Sequence, residues 1–346
     1  MEAKGLATLS LLESEINSCL KEISAHTDPR HFAFRVSYEI REHEITLNGF
    51  VHFPQQEQAL LSRLEKIPQV SKKNIAVYSQ IKILAKNKLK FGQCRVAFAN
   101  MYAHPKIDSE RVSQVLYGSF LLCYFSHGQY IFCADPTGYL GYVRKADILL
   151  QTREDYLRWL NGRRARVMSD IQTANGLIPM GSELVCDEKN RLILPDGGVF
   201  QSVNSSIKVH EPMRHPLIKP LLKSAPAYLA VPYLWGGKTS AGIDCSTFVQ
   251  VLFLIHGIAL PRDSSQQVNV GYQTGMLGDF SDVLPGDLLF FMGRKGRIIH
   301  VGLSLGGEKF LHASVTGGVK ESFIDEEETA GHPYRNYYVM ARRILA

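Results

Sequence analysis

The spacing of apolar positions changes several times along the chain, and each change predicts a different kind of structure. In the first stretch, apolar residues recur three or four positions apart, as on one face of a helix; they are Leu11, Leu12, Ile16, Leu20 and Ile23. Two alternating, strand-like runs follow, FAFRVSYEI and HEITLNGFVHF, and Pro54 then opens a second helical run. Residues 1–73 are therefore predicted to form a small α+β domain, in which no pattern indicates chemistry.

From residue 74 onward, short strand-like runs dominate. Up to residue 150 they read IAVYSQI, CRVAFANMY, SFLLCYF, QYIFCA and GYLGYV. After a helical connector, EDYLRWLNGRRARVM, further runs are ELVC, RLILP and VFQSV, the last preceded by a Gly-Gly turn. Many short strands joined by glycine turns are typical of small barrels. We predict one barrel in residues 74–150 and a second in residues 151–210.

The remaining residues, 211–346, begin with a proline-punctuated linker. An apolar helix is predicted at about residues 244–256, and strands at 287–292, 298–305, 309–315 and in YYVMARRIL. A helix followed by an antiparallel run of strands is an α+β architecture. The whole chain is thus predicted to be an α+β protein of several domains.

Composition excludes several classes of protein. With 346 residues, of which 45% are hydrophobic and 21% charged, the chain can bury a sizeable core. The net charge of +6 is modest and the basic residues are scattered, so nucleic-acid binding is not expected, although a weak attraction to acidic cell-wall polymers is compatible with the charge. The sequence does not specify an oligomeric state.

The sequence also bears on where the protein works. It contains no apolar stretch of about 18 residues, so no membrane span is expected. Glu13 and Glu15 interrupt the apolar pattern near the N-terminus, which does not resemble a signal peptide. These features predict a cytoplasmic protein, or a periplasmic or extracellular one if a leader has been removed.

Cys245 differs from the other five cysteines because it lies where a glycine-rich turn becomes a helix, in YLWGGKTSAGIDCSTF. None of the six belongs to a CxxC pair, and none has histidines at zinc-ligand spacing. A thiol at a helix N-terminus faces unpaired N–H groups and the positive end of the helix dipole, which favour the thiolate. Asp244 is a natural N-cap. Position alone leaves a buried structural cysteine equally open.

Two histidines favour a catalytic interpretation. If RIIHVGLSLGGEKFLHAS is a hairpin with the loop Gly306-Gly307-Glu308, Gly302 faces His312 and His300 lies diagonally across on the same side. Strand alternation then sends one set of residues to the buried face: Val301, Leu303, Leu305, Leu311 and Ala313. The histidines share the other face with small residues that leave room for a substrate: Gly302, Ser304 and Ser314.

These residue types fit nucleophilic catalysis. A cysteine nucleophile needs a base, and the base needs an orienting group; Cys245, His300 and His312 fill these three roles in order. A metal site is the rival interpretation for a histidine pair, but neither a third ligand nor a supporting carboxylate is visible in the sequence. We expect no metal and no cofactor.

Residues 230–346 resemble the NlpC/P60 family of papain-like cysteine peptidases, which cut peptidoglycan peptides. The resemblance rests on four blocks in order: YLWGGKTSAGIDCS, LPRDSSQQ, PGDLLFF and HVGLSLGGEKFLHAS. It implies a papain-like catalytic domain in residues 211–346, with Cys245 as nucleophile, His300 as base and His312 as third member. One position departs from the family pattern, because Thr247 stands where glycine is usual, and this calls tight packing at the helix start into question.

The rest of the chain resembles one branch of that family, whose members carry bacterial SH3-like barrels and hydrolyse γ-D-glutamyl–diamino acid bonds in murein peptides. CRVAFANMYAHPKIDSERVSQVLYG is similar to the first barrel of those enzymes. The resemblance implies that Glu110 and Tyr139 hold the free amine of an N-terminal L-Ala, and that Asp244, Ser246 and Ser264 line the same pocket. The alternative for Glu110 and Tyr139 is a solvated charge and a barrel aromatic.

The leading functional hypothesis is therefore a γ-D-glutamyl–diamino acid endopeptidase acting on murein peptides that begin with L-Ala, in recycling or turnover of peptidoglycan. One alternative is an acyltransferase or amidase on the same thiol–histidine scaffold. Another is a wall-binding protein with an inert papain-like domain. The sequence leaves the identity of the diamino acid and the role of residues 1–73 open.

Overall fold

In a computed structural model the chain divides into two compact units, Met1–Leu89 with Gly138–Leu140, and Lys90–Thr137 with Gly141–Ala346. The structure describes residues 2–41, 43–72, 74–86, 89–201, 206–209, 218–276, 278–326 and 333–344, with side chains from residue 9 onward. Within these ranges, no helix combines the length and the apolar character needed to cross a bilayer.

The first unit is a small α+β fold. Its elements are α1 (Glu2–Ala25), β1 (Phe34–Arg41), β2 (Glu44–Val51), α2 (Pro54–Leu64), α3 (Pro68–Lys72), β3 (Ala76–Ser79) and β4 (Lys82–Ile83). β1 and β2 form an antiparallel hairpin, and β3 and β4 both pair in parallel with β2. The predicted apolar face of α1 packs on α2, with Ile16 and Leu60 both fully buried, whereas Leu11 is 53% exposed.

This unit extends beyond the predicted boundary at residue 73. The run IAVYSQI, predicted to open the first barrel, contains β3, which belongs to the sheet of the first unit. A parallel strand needs a crossover connection, and α2 and α3 supply it between β2 and β3. The alternation of a short strand does not reveal which sheet the strand joins, so the sequence could not place this boundary.

The second unit begins with a seven-stranded sheet in the order β11-β5-β8-β9-β10-β6-β7. Its strands are β5 (Lys90–Cys94), β6 (Phe98–Tyr102), β7 (Arg111–Leu116), β8 (Phe120–His127), β9 (Tyr130–Ala134), β10 (Leu140–Arg144) and β11 (Ile148–Gln151). Four of them fall in predicted runs, whereas β5, β7 and β11 were not predicted.

Three small sheets follow in the region predicted as a second barrel. Their elements are α4 (Arg153–Asn161), β12 (Arg164–Val167), β13 (Ile171–Thr173), β14 (Gly176–Ile178), β15 (Glu183–Val185), β16 (Leu192–Ile193), β17 (Val199–Phe200) and β18 (Ile207–Val209). The pairings are β15-β12-β18, β13-β14 and β16-β17. A description of either region as an SH3-like barrel stays a prediction.

The C-terminal part is a helix packed on a six-stranded antiparallel sheet. Its elements are α5 (Ile218–Ser224), β19 (Lys238–Thr239), β20 (Gly242–Ile243), α6 (Cys245–Ile255), α7 (Ser264–Gln267), β21 (Tyr272–Met276), β22 (Leu288–Met292), β23 (Ile298–Gly306), β24 (Lys309–Ser314), β25 (Gly318–Phe323) and β26 (Tyr338–Arg343). The sheet order is β21-β26-β22-β23-β24-β25. The α+β character was predicted, but β21 and β25 were not.

The two faces of this sheet bury separate apolar clusters. On one face, Phe248 and Leu252 of α6 pack on Val301 and Leu303 of β23, all of them fully buried. On the other face, a smaller cluster forms around Phe291, Phe310 and Tyr334. Because side chains pack on both faces of the sheet, its strands are held rigidly. The residues that the strands present next to α6 are therefore fixed in position.

Candidate active site

Cys245 is the first residue of α6, and the Asp244 side chain caps this helix. Asp244 Oδ1 accepts a hydrogen bond from the backbone N–H of Thr247 at 2.8 Å. The Thr247 hydroxyl accepts in return from the Asp244 N–H at 3.1 Å. Such a reciprocal capping box fixes where a helix begins, so the thiol lies at the predicted helix N-terminus.

Thr247 strengthens the turn that precedes Cys245. Its hydroxyl donates to the carbonyl oxygen of Gly237 in the Gly-Gly turn, and the side chain is fully buried. The expectation that a residue larger than glycine would disturb packing here is therefore wrong. The hydroxyl joins the turn to the first turn of α6, a contact that glycine could not make.

Thr247→Val should lower the free energy of unfolding by roughly 1–3 kcal/mol, because valine has a similar shape but leaves the buried Gly237 carbonyl and Asp244 N–H without this partner. Thr247→Ser, which keeps the hydroxyl, should lose less. Urea unfolding of both variants tests this, and a valine variant as stable as the wild type would contradict it.

The charge of Asp244 is matched by Arg262, which the sequence analysis did not single out although it lies in the block LPRDSSQQ. Arg262 Nη2 is 2.6 Å from Asp244 Oδ2, and both side chains are 4% exposed. Arg262 Nη1 also donates to Ser246 Oγ at 2.8 Å. Burial acts to raise the pKa of Asp244, but Arg262 and the bonds from Thr247 lower it overall. Asp244 and Ser246 thus form part of a buried, internally paired network.

The two histidines lie diagonally across from each other on β23 and β24, as predicted. Leu303 pairs with Leu311, a register that places Gly302 across from His312. The turn is shorter than predicted, since Gly306 already pairs with Lys309, and an irregularity between Ser304 and Gly306 compensates for the difference. His300 Nε2 lies 2.8 Å from His312 Nδ1, within hydrogen-bonding distance.

The face shared by the histidines offers less room than predicted, although His300 itself is only half-buried. His312 is fully buried, and its ring lies 4.7 Å from the Phe310 ring and 5.2 Å from the Tyr334 ring. Ser304 and Ser314 are also buried. His312 tolerates this burial because both ring nitrogens have partners, the second being Ser322 Oγ at 3.2 Å from Nε2.

Burial shifts the pKa values of Cys245 and His300 in opposite directions, and both shifts favour the neutral form. Burial raises the pKa of Cys245 to about 12, the neighbouring Asp244 carboxylate acts in the same direction, and a backbone bond at Val301 and the Arg262 charge act against it. Burial lowers the pKa of His300. The raised pKa runs against the thiolate expected from the helix N-terminus alone, because burial opposes the charged form.

Buried neutral histidines should make the protein less stable in acid. Burial lowers the pKa of His256 to about 4 and that of His312 well below its ordinary value. Below about pH 6.5 the unfolded chain binds protons that the folded chain does not, so stability falls as the pH falls. Between pH 7.5 and pH 5 we expect a loss of roughly 2 kcal/mol per histidine.

Urea unfolding at the two pH values measures this loss. His256→Gln should remove that residue's share of the pH dependence, which separates it from the contribution of carboxylates. Identical pH dependence in the variant and the wild type would contradict the assignment.

The turn before Cys245 is anchored by β7 of the seven-stranded sheet. The Trp235 indole N–H donates to Glu110 Oε1 at 3.0 Å, and Arg111 Nε donates to the Trp235 carbonyl at 3.0 Å. The Lys238 N–H donates to Gln114 Oε1 at 2.8 Å. The structure thus brings Glu110 to the turn that leads into Cys245.

Gly236 in this turn is required by the approach of β7. Its φ is +74°, and a Cβ atom at this position would lie 2.3 Å from the Arg111 carbonyl oxygen. Residues with a side chain are disfavoured at this positive φ, and their Cβ atom would clash with the Arg111 carbonyl oxygen, so only glycine fits here. The Gly-Gly pair therefore admits the chain's own backbone at this point.

The remaining predicted binding residues are Ser264 and Tyr139. Ser264 is the first residue of α7 and is largely buried. Tyr139 belongs to the first compact unit, where its ring packs edge-on against His31 with centroids 5.9 Å apart. A role for either residue in binding substrate stays a prediction.

All six cysteines have free thiols. In the part of the chain that the structure describes, no three His, Cys, Asp or Glu side chains are grouped so that they could hold a metal ion. The two histidines instead bond to each other and to Ser322.

Comparisons with known proteins identify relatives of this chain. The chain is 28% identical over 232 residues to the γ-D-glutamyl-L-lysine dipeptidyl-peptidase of Bacillus subtilis, covering 61% of this chain and 74% of that protein. It is 27% identical over 252 residues to dipeptidyl-peptidase 6 of Lysinibacillus sphaericus, covering 66% and 90%.

A solved structure shows the same fold. A crystal structure of an NlpC/P60 family protein from Bacillus cereus superposes with a TM-score of 0.64 at 18% identity, over 74% of this chain and all of that one. The fold is therefore papain-like with mixed α+β content. The profile of the NlpC/P60 family matches residues 230–343, which include Cys245, His300 and His312. The resemblance seen in the sequence is confirmed: this chain carries an NlpC/P60 family domain.

Proposed function

We propose that this chain is a cysteine endopeptidase that hydrolyses the γ-D-glutamyl–diamino acid bond of murein peptides with a free N-terminal L-Ala. The observation that carries the proposal is the placement of Cys245 at the start of α6, where its thiol bonds to the backbone of Val301, the residue after His300, and His300 in turn bonds to His312. The names of its relatives as peptidases, one of them for γ-D-glutamyl-L-lysine, support the reaction and the substrate class.

The first half of the reaction uses the neutral resting pair. His300 takes the thiol proton of Cys245, and the resulting thiolate attacks the γ-carbonyl carbon of the D-glutamyl residue. The first backbone N–H groups of α6 have no acceptor within the helix and lie beside the nucleophile. They are suited to stabilise the oxygen on which negative charge develops.

The second half returns the enzyme to its starting state. His300 gives its proton to the leaving amine of the diamino acid, which departs and leaves a thioester on Cys245. Water, deprotonated by His300, then attacks this thioester and releases the dipeptide L-Ala-D-Glu. The His312 bond to His300 Nε2 keeps the ring oriented through both halves.

Recognition of the free amine is assigned to Glu110. Its carboxylate is exposed and accepts a hydrogen bond from the uncharged indole of Trp235, a bond that leaves its negative charge uncompensated. Asp244, by contrast, is already paired with Arg262. A substrate ammonium group is a suitable partner for the Glu110 carboxylate because charge-assisted hydrogen bonds are the strongest available to such a group.

Incubation with L-Ala-γ-D-Glu-diaminopimelate, followed by mass analysis of the products, tests the reaction. We expect L-Ala-D-Glu and free diaminopimelate, with oxygen from labelled water in the new carboxylate. Transfer of the dipeptide to an added amine without water incorporation would favour the acyltransferase alternative. A parallel incubation with the lysine-containing tripeptide identifies the diamino acid.

Wall binding without turnover of either tripeptide would favour the non-catalytic alternative.

The proposed setting of the activity is the cytoplasm, on imported or turned-over wall fragments. Detection of the protein with the cell wall in fractionated cells would contradict that setting.

A further inference from the structure

We propose that Ser322 and Glu326 are positioning residues that fix the tautomers of His300 and His312 through a line of hydrogen bonds pointing one way. Neither residue appears in the mechanism above. The inference rests on the proposed function in one respect, since it assumes that His300 serves as the base toward Cys245.

Strand pairing brings Ser322 to the histidines. In the β24–β25 register, His312 pairs with Lys320 and Phe310 pairs with Ser322, so Ser322 lies diagonally across from His312 on the same face. The Ser322 side chain is 1% exposed. Its Oγ atom is 3.2 Å from His312 Nε2.

The turn after β25 brings a carboxylate to Ser322. The Glu326 N–H donates to the Phe323 carbonyl at 2.9 Å, and the Phe323 N–H donates to Glu326 Oε2 at 3.1 Å. The Ser322 hydroxyl hydrogen-bonds to the same carboxylate. Lys320 Nζ lies 3.5 Å from Glu326 Oε1. Although burial acts to raise the pKa of Glu326, these donors lower it, which keeps the group ionised.

The ionised carboxylate decides the direction of every bond in the line. A carboxylate only accepts hydrogen bonds, so the single hydroxyl proton of Ser322 points to Glu326. Ser322 Oγ must then accept from His312, which places the His312 proton on Nε2. A neutral histidine with its proton on Nε2 has a bare Nδ1, and this atom accepts from His300 Nε2–H at 2.8 Å.

The last member of the line is the catalytic base. With its proton on Nε2, neutral His300 presents a bare Nδ1, the atom that can accept the Cys245 proton. If the line ran the other way, Nδ1 of His300 would carry a proton and could not act as a base. Transfer of the thiol proton to Nδ1 changes the charge of Cys245 and His300 only, and the negative carboxylate at the far end stabilises the imidazolium that forms.

Glu326→Gln tests the proposal with little disturbance, because Glu326 is partly exposed and glutamine has the same shape. The amide can donate to Ser322 Oγ as well as accept from it, so both directions of the line become available. Ser322→Ala removes the link altogether. Glu321→Gln is the matched control. Glu321 is exposed, lies on β25 next to Ser322, and pairs with Lys309 rather than with Ser322 or Lys320.

The first readout is the tautomeric state by ¹⁵N NMR of histidine-labelled protein without substrate. In the wild type and Glu321→Gln, His300 and His312 should both carry the proton on Nε2. Glu326→Gln and Ser322→Ala should show a substantial Nδ1–H population at His300. A wild type with the proton on His300 Nδ1, or unchanged tautomers in both variants, would overturn the proposal.

The second readout is the rate. Both variants should lower kcat on the tripeptide by roughly 10- to 100-fold with KM changed less than twofold, since a misdirected base affects chemistry rather than binding. The rate at which iodoacetamide alkylates Cys245 should fall in parallel. If the wild type alkylates rapidly but does not cleave the tripeptide, the proposed function fails while the tautomer result stands. If Ser322→Ala does not fold, the tautomers and the rate of Glu326→Gln test the proposal alone.

Discussion

Replacing Cys245 with serine is expected to abolish hydrolysis of L-Ala-γ-D-Glu-diaminopimelate, with kcat lower by roughly four orders of magnitude or more. The hydroxyl is nearly the same size as the thiol, so the buried site at the start of α6 should accept it. A serine hydroxyl, however, has a far higher pKa and is a much weaker nucleophile. The thermal unfolding midpoint should stay close to that of the wild type.

Cys19→Ser is the matched control, because Cys19 is partly exposed in the first unit, where the charges that act on its thiol are those of Glu22, Arg63 and Glu15. It should cleave at the wild-type rate. A Cys245→Ser enzyme that kept wild-type turnover while Cys19→Ser lost it would reverse the assignment of the nucleophile.

Acetylation of the substrate's L-Ala amine is expected to reduce kcat/KM by roughly a hundredfold or more. The acetyl group removes the positive charge, adds bulk, and leaves the Glu110 carboxylate facing a neutral amide. A binding site that loses the partner of a charged group is penalised by several kcal/mol. Peptides still joined to glycan through the lactyl group have no free amine, so the same mismatch would spare the intact wall.

Glu110→Gln should shrink the difference between free and acetylated substrates. Glutamine keeps an oxygen that can accept the Trp235 indole N–H, so the change removes the charge and not the anchor of the turn. Asp108→Asn, at an exposed position two residues earlier, is the control and should leave the difference intact. Equal rates on free and acetylated tripeptide in the wild type would refute amine recognition.

The start of the catalytic helix could be predicted from the sequence because its determinants are local. Asp244 is a standard N-cap, and the apolar run after it defines a core helix. The facing of Gly302 and His312 was also predictable, since a hairpin register follows from loop length and strand alternation. The actual turn is shorter, but the bulge near Leu305 restores the same pairing.

The features that the sequence did not predict depend on distant parts of the chain. The burial of His312 results from the rings of Phe310 and Tyr334, and Tyr334 lies beyond a segment that the sequence did not assign. Strand β25 contains the polar run KES, so its alternation gave no signal. Without that strand, Ser322 could not be placed beside His312. Arg262 was missed because a single arginine has no periodicity.

The pKa shift of the Cys245 thiol also could not be predicted from the sequence. The helix end alone favours the thiolate, but the full burial of Cys245 and the adjacent Asp244 carboxylate act in the other direction. Such a balance depends on how much solvent reaches the sulfur atom, which only the packed structure reveals.

The anchoring of the Trp235–Lys238 turn on β7 limits how this protein can be divided into portable parts. A fragment that began at α5 would keep the thiol, both histidines and their hydrogen-bonding partners. It would lose the Arg111 guanidinium and the Gln114 amide, which hold the two ends of that turn. Residues 230–343, which match the family, therefore do not include all the residues that keep this turn in place. An engineer grafting this nucleophile onto another protein should cut near Lys90, where the second compact unit begins.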